Sequence, residues 1–227
     1  MSTLSLYDSL TGKVLEVRPL TPGHLQIYVC GMTVYDDCHI GHARSMLVFD
    51  VLVRILRQRD WKVTYVRNIT DVDDRIIERA QLRSISASAL VAEMTLSMHQ
   101  DFEALGILPP DIEPKATASI AGILALIERL MANNMAYQSQ SGTVWFRVKA
   151  LPEYGQLSSR QHNQDHTHSR QTGSQIEEKE DPRDFALWKA ADARDHSVGT
   201  VWDSPWGKGR PGWHIECSAM SMEHLGS

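Results

Sequence analysis

The chain has 227 residues, 42% hydrophobic and 22% charged, with a net charge of −5. That length and balance suit a globular protein with a sizeable core, and the acidic balance excludes a strong basic field over the whole surface. Three cysteines, an odd and low count, argue against a disulfide framework and fit a reducing, cytoplasmic setting. No apolar run approaches the ~18–20 residues of a membrane span, and the N-terminus lacks a signal peptide's basic start and apolar core.

In chain order, residues 4–7 and 14–17 read as short strands with Thr11-Gly12 between them, and Pro22-Gly23 marks a turn before a strand at Ile27-Tyr28-Val29. Cys30-Gly31 ends that strand. After His39-Ile40-Gly41-His42, residues Leu47, Val48, Val51, Leu52, Ile55 and Leu56 recur at three- and four-residue spacing, which predicts a helix to about Arg59. Residues 62–66 form the next strand, so 26–66 is a strand–helix–strand unit of a parallel sheet. In such sheets ligands bind beyond the carboxyl ends of the strands, and the free N–H groups of a helix start favour phosphate.

Asp71-Val72-Asp73-Asp74 follows the second strand and reads either as helix capping and first-turn carboxylates or as part of a site. Residues 86–105 and 116–131 are predicted helices, stopped by Pro109-Pro110 and Asn133-Asn134. Their methionines read as core filler. Residues 136–137 and 143–148 suggest a hairpin around Ser141-Gly142. The polar stretch 149–182 carries His162, His166 and His168; a surface loop is the first reading and a metal site the second. Order returns at 184–189. Residues 202–212 read as a Gly-, Pro- and Trp-rich loop, and 213–222 begins a helix or strand–helix turn.

His39-Ile40-Gly41-His42 at a strand-to-helix turn resembles the HIGH signature of class I aminoacyl-tRNA synthetases. The longer strings Cys30-Gly31-Met32-Thr33-Val34-Tyr35-Asp36 and Cys38-His39-Ile40-Gly41-His42-Ala43-Arg44 narrow this to the cysteinyl-tRNA synthetase family. So do Tyr65-Val66-Arg67-Asn68-Ile69-Thr70-Asp71-Val72-Asp73-Asp74 and Gly209-Arg210-Pro211-Gly212-Trp213-His214-Ile215-Glu216-Cys217-Ser218-Ala219-Met220. The resemblance implies an α/β, Rossmann-like nucleotide-binding domain with a parallel sheet. Residues 1–110 would be its first half, 111–200 a connective insertion and 201–227 the start of its second half.

The resemblance implies the activation of cysteine by ATP, with Mg²⁺, and transfer of the aminoacyl group to tRNA(Cys). His39 and His42 would donate hydrogen bonds to phosphate oxygens as catalytic groups, with Gly41 letting the nucleotide approach the backbone. Gly31, Thr70, Trp213 and His214 would bind cysteine. Serine is nearly isosteric with cysteine, so shape alone discriminates weakly. The family meets this with a zinc ion that takes the substrate thiolate, and Cys30 and Cys217 match its two cysteine ligands. Cys38 matches a position that is not a ligand.

The strings also depart from the family. No KMSKS-like loop stands in these residues, and no His-x-x-x-Glu follows Cys217. Arg75 and Glu78 stand where many relatives carry lysine. The expectation is therefore a C-terminally truncated, incomplete enzyme, or one completed by a missing C-terminal portion or a second chain. Two alternatives stay open: a related ligase joining cysteine to an amino sugar, and a non-catalytic binding module.

Overall fold

The computed structural model describes residues 4–158 and 178–226; the histidines at 162, 166 and 168 lie outside them. Strands β1 (Ser5–Asp8) and β2 (Lys13–Glu16) form an antiparallel hairpin. Then β3 (His24–Val29) and β4 (Lys62–Arg67) pair in parallel, from His24 opposite Lys62 to Val29 opposite Arg67. Between them runs α1 (Ile40–Gln58). It starts at Ile40, three residues before the expected start after His42, because His39 serves as its N-cap.

Helix α1 buries Ala43, Met46, Asp50, Val53 and Leu56, while Val48, Val51 and Ile55 face outward. The periodicity marked the helix but not its inner side. Asp50 is the decisive polar member. It is 5% exposed, pairs with Arg54 at 2.7 Å and accepts the Leu108 N–H at 2.9 Å. A buried carboxylate needs such partners, and here they tie α1 to the chain leaving α3 (Ala87–Ala104).

A third parallel segment, residues 111–116, lies along the other edge of β4. Arg67 N–H donates to Ile112 O at 3.1 Å, Ile69 N–H to Pro114 O at 2.8 Å, and Ala116 N–H to Ile69 O at 3.3 Å. Side chains reinforce it. Arg67, 3% exposed, pairs with Glu113 at 3.0 Å, and Asp111 accepts the Tyr65 N–H at 2.7 Å.

Helix α2 (Asp74–Leu82) is capped by Asp73, whose carboxylate accepts the Arg75 N–H. Asp71 accepts from the Thr117 N–H and hydroxyl. Capping and loop anchoring thus account for two of the acidic residues after β4. Helices α2 and α3 close the main core with Ile76, Ile77, Leu90, Val91, Met94, Met98 and Phe102 against Met32, Val34, Met46 and Ile69. The methionines are core filler, as their spacing suggested.

Helix α4 (Ile120–Ala132) leads to a four-stranded antiparallel sheet of β5 (Ala136–Gln138), β6 (Val144–Phe146), β7 (Phe185–Ala190) and β8 (Gly209–Pro211). Strand β8 falls inside the stretch read as a loop. Short helix α5 (Ala193–Val198) follows β7, and α6 (Trp213–Leu225) follows β8. A second core joins Ile123, Ile127, Val144, Leu187 and Trp188 to Ile215 and Ala219 of α6. No described helix is long and apolar enough to cross a membrane.

Candidate active site

Cys30 and Gly31 leave β3 just as Asn68, Ile69 and Thr70 leave β4. The parallel pairing continues past the strands: Thr70 N–H donates to Met32 O at 3.2 Å and Val34 N–H to Thr70 O at 3.3 Å. This holds the two motif loops side by side at the carboxyl end of the sheet. The approach is tight. A Cβ on Gly31 would lie 1.6 Å from the Asn68 carbonyl oxygen, so only glycine fits there.

Helix α6 brings Cys217 to this place across 187 residues, with its Sγ 3.5 Å from that of Cys30. Both thiols are free; Cys30 is exposed and Cys217 partly so. They titrate as a pair. A thiolate on one sulfur accepts the other's hydrogen, which lowers the Cys30 pKa to about 6 and holds the remaining proton of Cys217 more firmly. Two thiolates on one tetrahedral zinc at about 2.3 Å would stand about 3.8 Å apart, so the observed separation suits one edge of such a site. Among the described residues no group of three or more His, Cys, Asp or Glu could hold a metal ion. Cys38 is apart, its sulfur 3.5 Å from Met32 Sδ, and burial pushes its thiol to about 11.

His39 and His42 stack at the start of α1 with ring centroids 3.8 Å apart. Their Nδ1 atoms are both occupied by backbone donors: Gly41 N–H reaches His39 at 3.0 Å and His39 N–H reaches His42 at 3.3 Å. In the neutral rings the hydrogen bonds therefore assign the protons to Nε2. Each histidine keeps one N–H to offer a ligand. Burial, His39 and Arg75 together lower the His42 pKa, which favours that neutral form. A Cβ on Gly41 would sit 2.8 Å from His39 Cε1, so this glycine first makes room for the histidine that caps the helix.

Trp213 and His214 occupy the first turn of α6. Their rings lie 4.9 Å apart, and His214 meets Phe185 edge-on at 5.6 Å. Loss of water at that contact lowers the His214 pKa. Trp213 is 58% exposed. It precedes Cys217 by four residues and so shares its helix face, but no described contact joins it to Thr70 or Cys30.

Three neighbours of the site were not singled out as site residues from the sequence. Asn68 bonds Gly31 and Thr70. Tyr28 buries its hydroxyl without a hydrogen-bond partner among the described residues; burial and Cys217 raise its pKa. Glu216 is 1% exposed, and among the described residues neither of its carboxyl oxygens has a partner. All three sit inside strings already quoted, but buried polar geometry has no sequence period.

Burial, then Asp73 and Asp71, push the Glu216 pKa well above 4.5. The unfolded chain gives up this proton near the ordinary carboxylate pKa while the folded chain keeps it, so its contribution to stability falls as pH rises above about 4.5. Glu216→Gln is expected to stabilise the chain by roughly 1–3 kcal/mol near neutrality and by little at pH 4. Melting curves of both proteins across pH 4–8 check this; parallel Tm–pH profiles would reject it.

The comparisons with known proteins fall on the same motifs. The family model of the class I (C) tRNA synthetase catalytic domain matches residues 16–227. A cysteine–tRNA ligase of Halorhodospira halophila is 51% identical over 227 residues, covering 99% of this chain and 48% of that protein. Those of Chromobacterium violaceum and Legionella pneumophila (strain Corby) are 50% and 51% identical over 226 residues, each covering 98% of this chain and 48% of the relative. The chain thus spans about half the length of the curated relatives it matches. With a match running from residue 16 to its last residue, the chain belongs to the class I (C) tRNA synthetase catalytic-domain family.

Proposed function

We propose that the chain carries the cysteine-activating part of a cysteine–tRNA ligase. The observation that carries this reading is the meeting of Cys30 and Cys217, 3.5 Å apart, at the end of a parallel sheet whose next helix starts with His39 and His42, both held by their Nδ1 atoms with Nε2–H left to donate. The cysteine carboxylate would attack the α-phosphate of ATP, displacing pyrophosphate and leaving cysteinyl-adenylate. A terminal ribose hydroxyl of tRNA(Cys) would then take the aminoacyl group. His39 and His42 would each donate Nε2–H to phosphate oxygens as negative charge builds there. Mg²⁺ would accompany the ATP.

Cys30 and Cys217 would supply two ligands to a zinc ion, and Thr70, Gly31, Trp213 and His214 would border the amino acid. When bound, zinc supplies a soft Lewis acid that takes a thiolate in preference to an alcohol. The other zinc ligands and the rest of the tRNA and ATP contacts would come from a further portion of protein or a second chain. We also place residues 1–110 and 201–227 in the nucleotide-binding fold, the 111–200 insertion departing from it only after residues 111–116 have added a segment along β4, and the protein in the cytoplasm.

Zinc content after dialysis against a mild chelator, followed by calorimetric titration with cysteine and serine, tests this. In protein that includes the portion or second chain supplying the other ligands, the expected result is about one zinc per site, lost in Cys30→Ser and Cys217→Ser, and about 100-fold preference for cysteine. Completed protein that holds no zinc and takes both amino acids equally would overturn the reading.

A further inference from the structure

Asn68 joins both sides of the thiol pair. It is 1% exposed. Its Oδ1 accepts the Gly31 N–H at 3.0 Å and lies 3.8 Å from Cys217 Sγ. Its Nδ2 donates to Thr70 Oγ1 at 3.2 Å. A backbone N–H can only donate, so Gly31 decides which end of the amide faces it, and the amide cannot turn over without leaving that donor unpaired.

Gly31 follows Cys30 directly. Among the described residues, the only side-chain hydrogen bond to Gly31 comes from Asn68, and the only one to the Cys30 sulfur is that of Cys217. The main chain adds a second constraint, since the missing Cβ of Gly31 lets the Asn68 carbonyl come into contact. One residue of the β4 loop therefore fixes where Cys30 stands when Cys217 arrives on α6.

We propose that Asn68 is the positioning residue of the thiol pair: it sets Cys30 against Cys217 so that both sulfurs reach one soft metal ion and a thiolate substrate on it. This deepens the functional reading above and rests on it. The geometry itself can be read without metal or substrate.

Diamide provides that reading. It takes the two thiol hydrogens with their electron pair, becoming a hydrazine, and leaves a Cys30–Cys217 S–S bond. In metal-free protein the wild type is expected to form this bond within the chain, seen by peptide mass mapping. Asn68→Ala is expected to slow its formation about tenfold or more, through a lower effective concentration of one thiol at the other. Asp184→Ala, which strips a buried carboxylate from Tyr137, Val148 and Asp181 and from no residue of the thiol loops, should leave the rate unchanged despite its loss of stability. Should Asn68→Ala not fold, Asn68→Ser withdraws the same acceptor from Gly31 with a smaller void, and the same slowing is expected. Wild-type rates in the folded Asn68 variant, equal slowing in Asp184→Ala, or a wild type that does not bridge would each overturn the proposal. A wild type that bridges but does not bind cysteine would reject the functional reading and leave the positioning role standing.

Discussion

Gly31→Ala is expected to lower the melting temperature by about 10 °C and to separate the thiol pair. The added methyl carbon would lie 1.6 Å from the Asn68 carbonyl oxygen and 2.8 Å from its carbon. No rotamer relieves a clash with backbone, so one loop must move off the other. That breaks the Asn68–Gly31 bond and strains the Met32–Thr70 pairing beyond it. Overpacking and a broken buried bond together put the loss at roughly 3–5 kcal/mol, which for a chain of this size is on the order of 10 °C. Gly122→Ala makes the contrast. Gly122 lies exposed in α4 with nothing within 4 Å of a built Cβ, and alanine there should gain about 0.5–1 kcal/mol in helix propensity. Thermal melts of both variants check the pair; equal shifts would reject the steric account.

Arg210→Met is expected to destabilise by about 3–5 kcal/mol. Arg210 is 5% exposed. Its Nε meets Asp195 at 2.7 Å and its Nη2 meets Asp74 at 2.5 Å, while Lys189 also meets Asp74 at 2.5 Å. Asp195 is 2% exposed, so removing the guanidinium strands a charge in the core. Burial opposes the charge on Asp74, but Arg210 and Lys189 outweigh it and hold that carboxyl at about 2. Adding Asp195→Asn should recover a large part of the loss, since the amide needs no counter-ion. Denaturant titration of the single and double variants measures the coupling; an additive double variant would sink the account. The network matters for the site because it joins the start of α2, behind the Asp71–Asp74 loop, to β8, which carries the chain into α6 and Cys217.

The strand–helix–strand unit was legible because its apolar spacing is regular and its ends carry turn residues. The meeting of Cys30 and Cys217 was not: no local period connects residues 187 apart, and only family resemblance paired them. Segment 111–116 escaped notice because Pro109-Pro110 read as a helix stop and a proline within the segment argues against a strand, although Pro114 contributes only its carbonyl to the ladder. Strand β8 hid for a similar reason. Gly209 and Gly212 look like loop residues, yet a Cβ on either would strike the backbone of β7. Asn68 stood within a quoted motif, where an asparagine after a strand reads as a turn former.

The pairing of residues 111–116 along β4 also bears on how the chain is made. Tyr65 and its partner Asp111 are 46 residues apart, and α2 and α3 lie between them. On a ribosome, β4 meets β3 early but keeps a bare edge until residue 116 has emerged. Until then the nascent sheet presents unpaired amides to any neighbouring extended chain. Arg67, whose carboxylate partner is Glu113 of that late segment, spends the same interval without its counter-ion, which keeps the unfinished edge charged and hydrated.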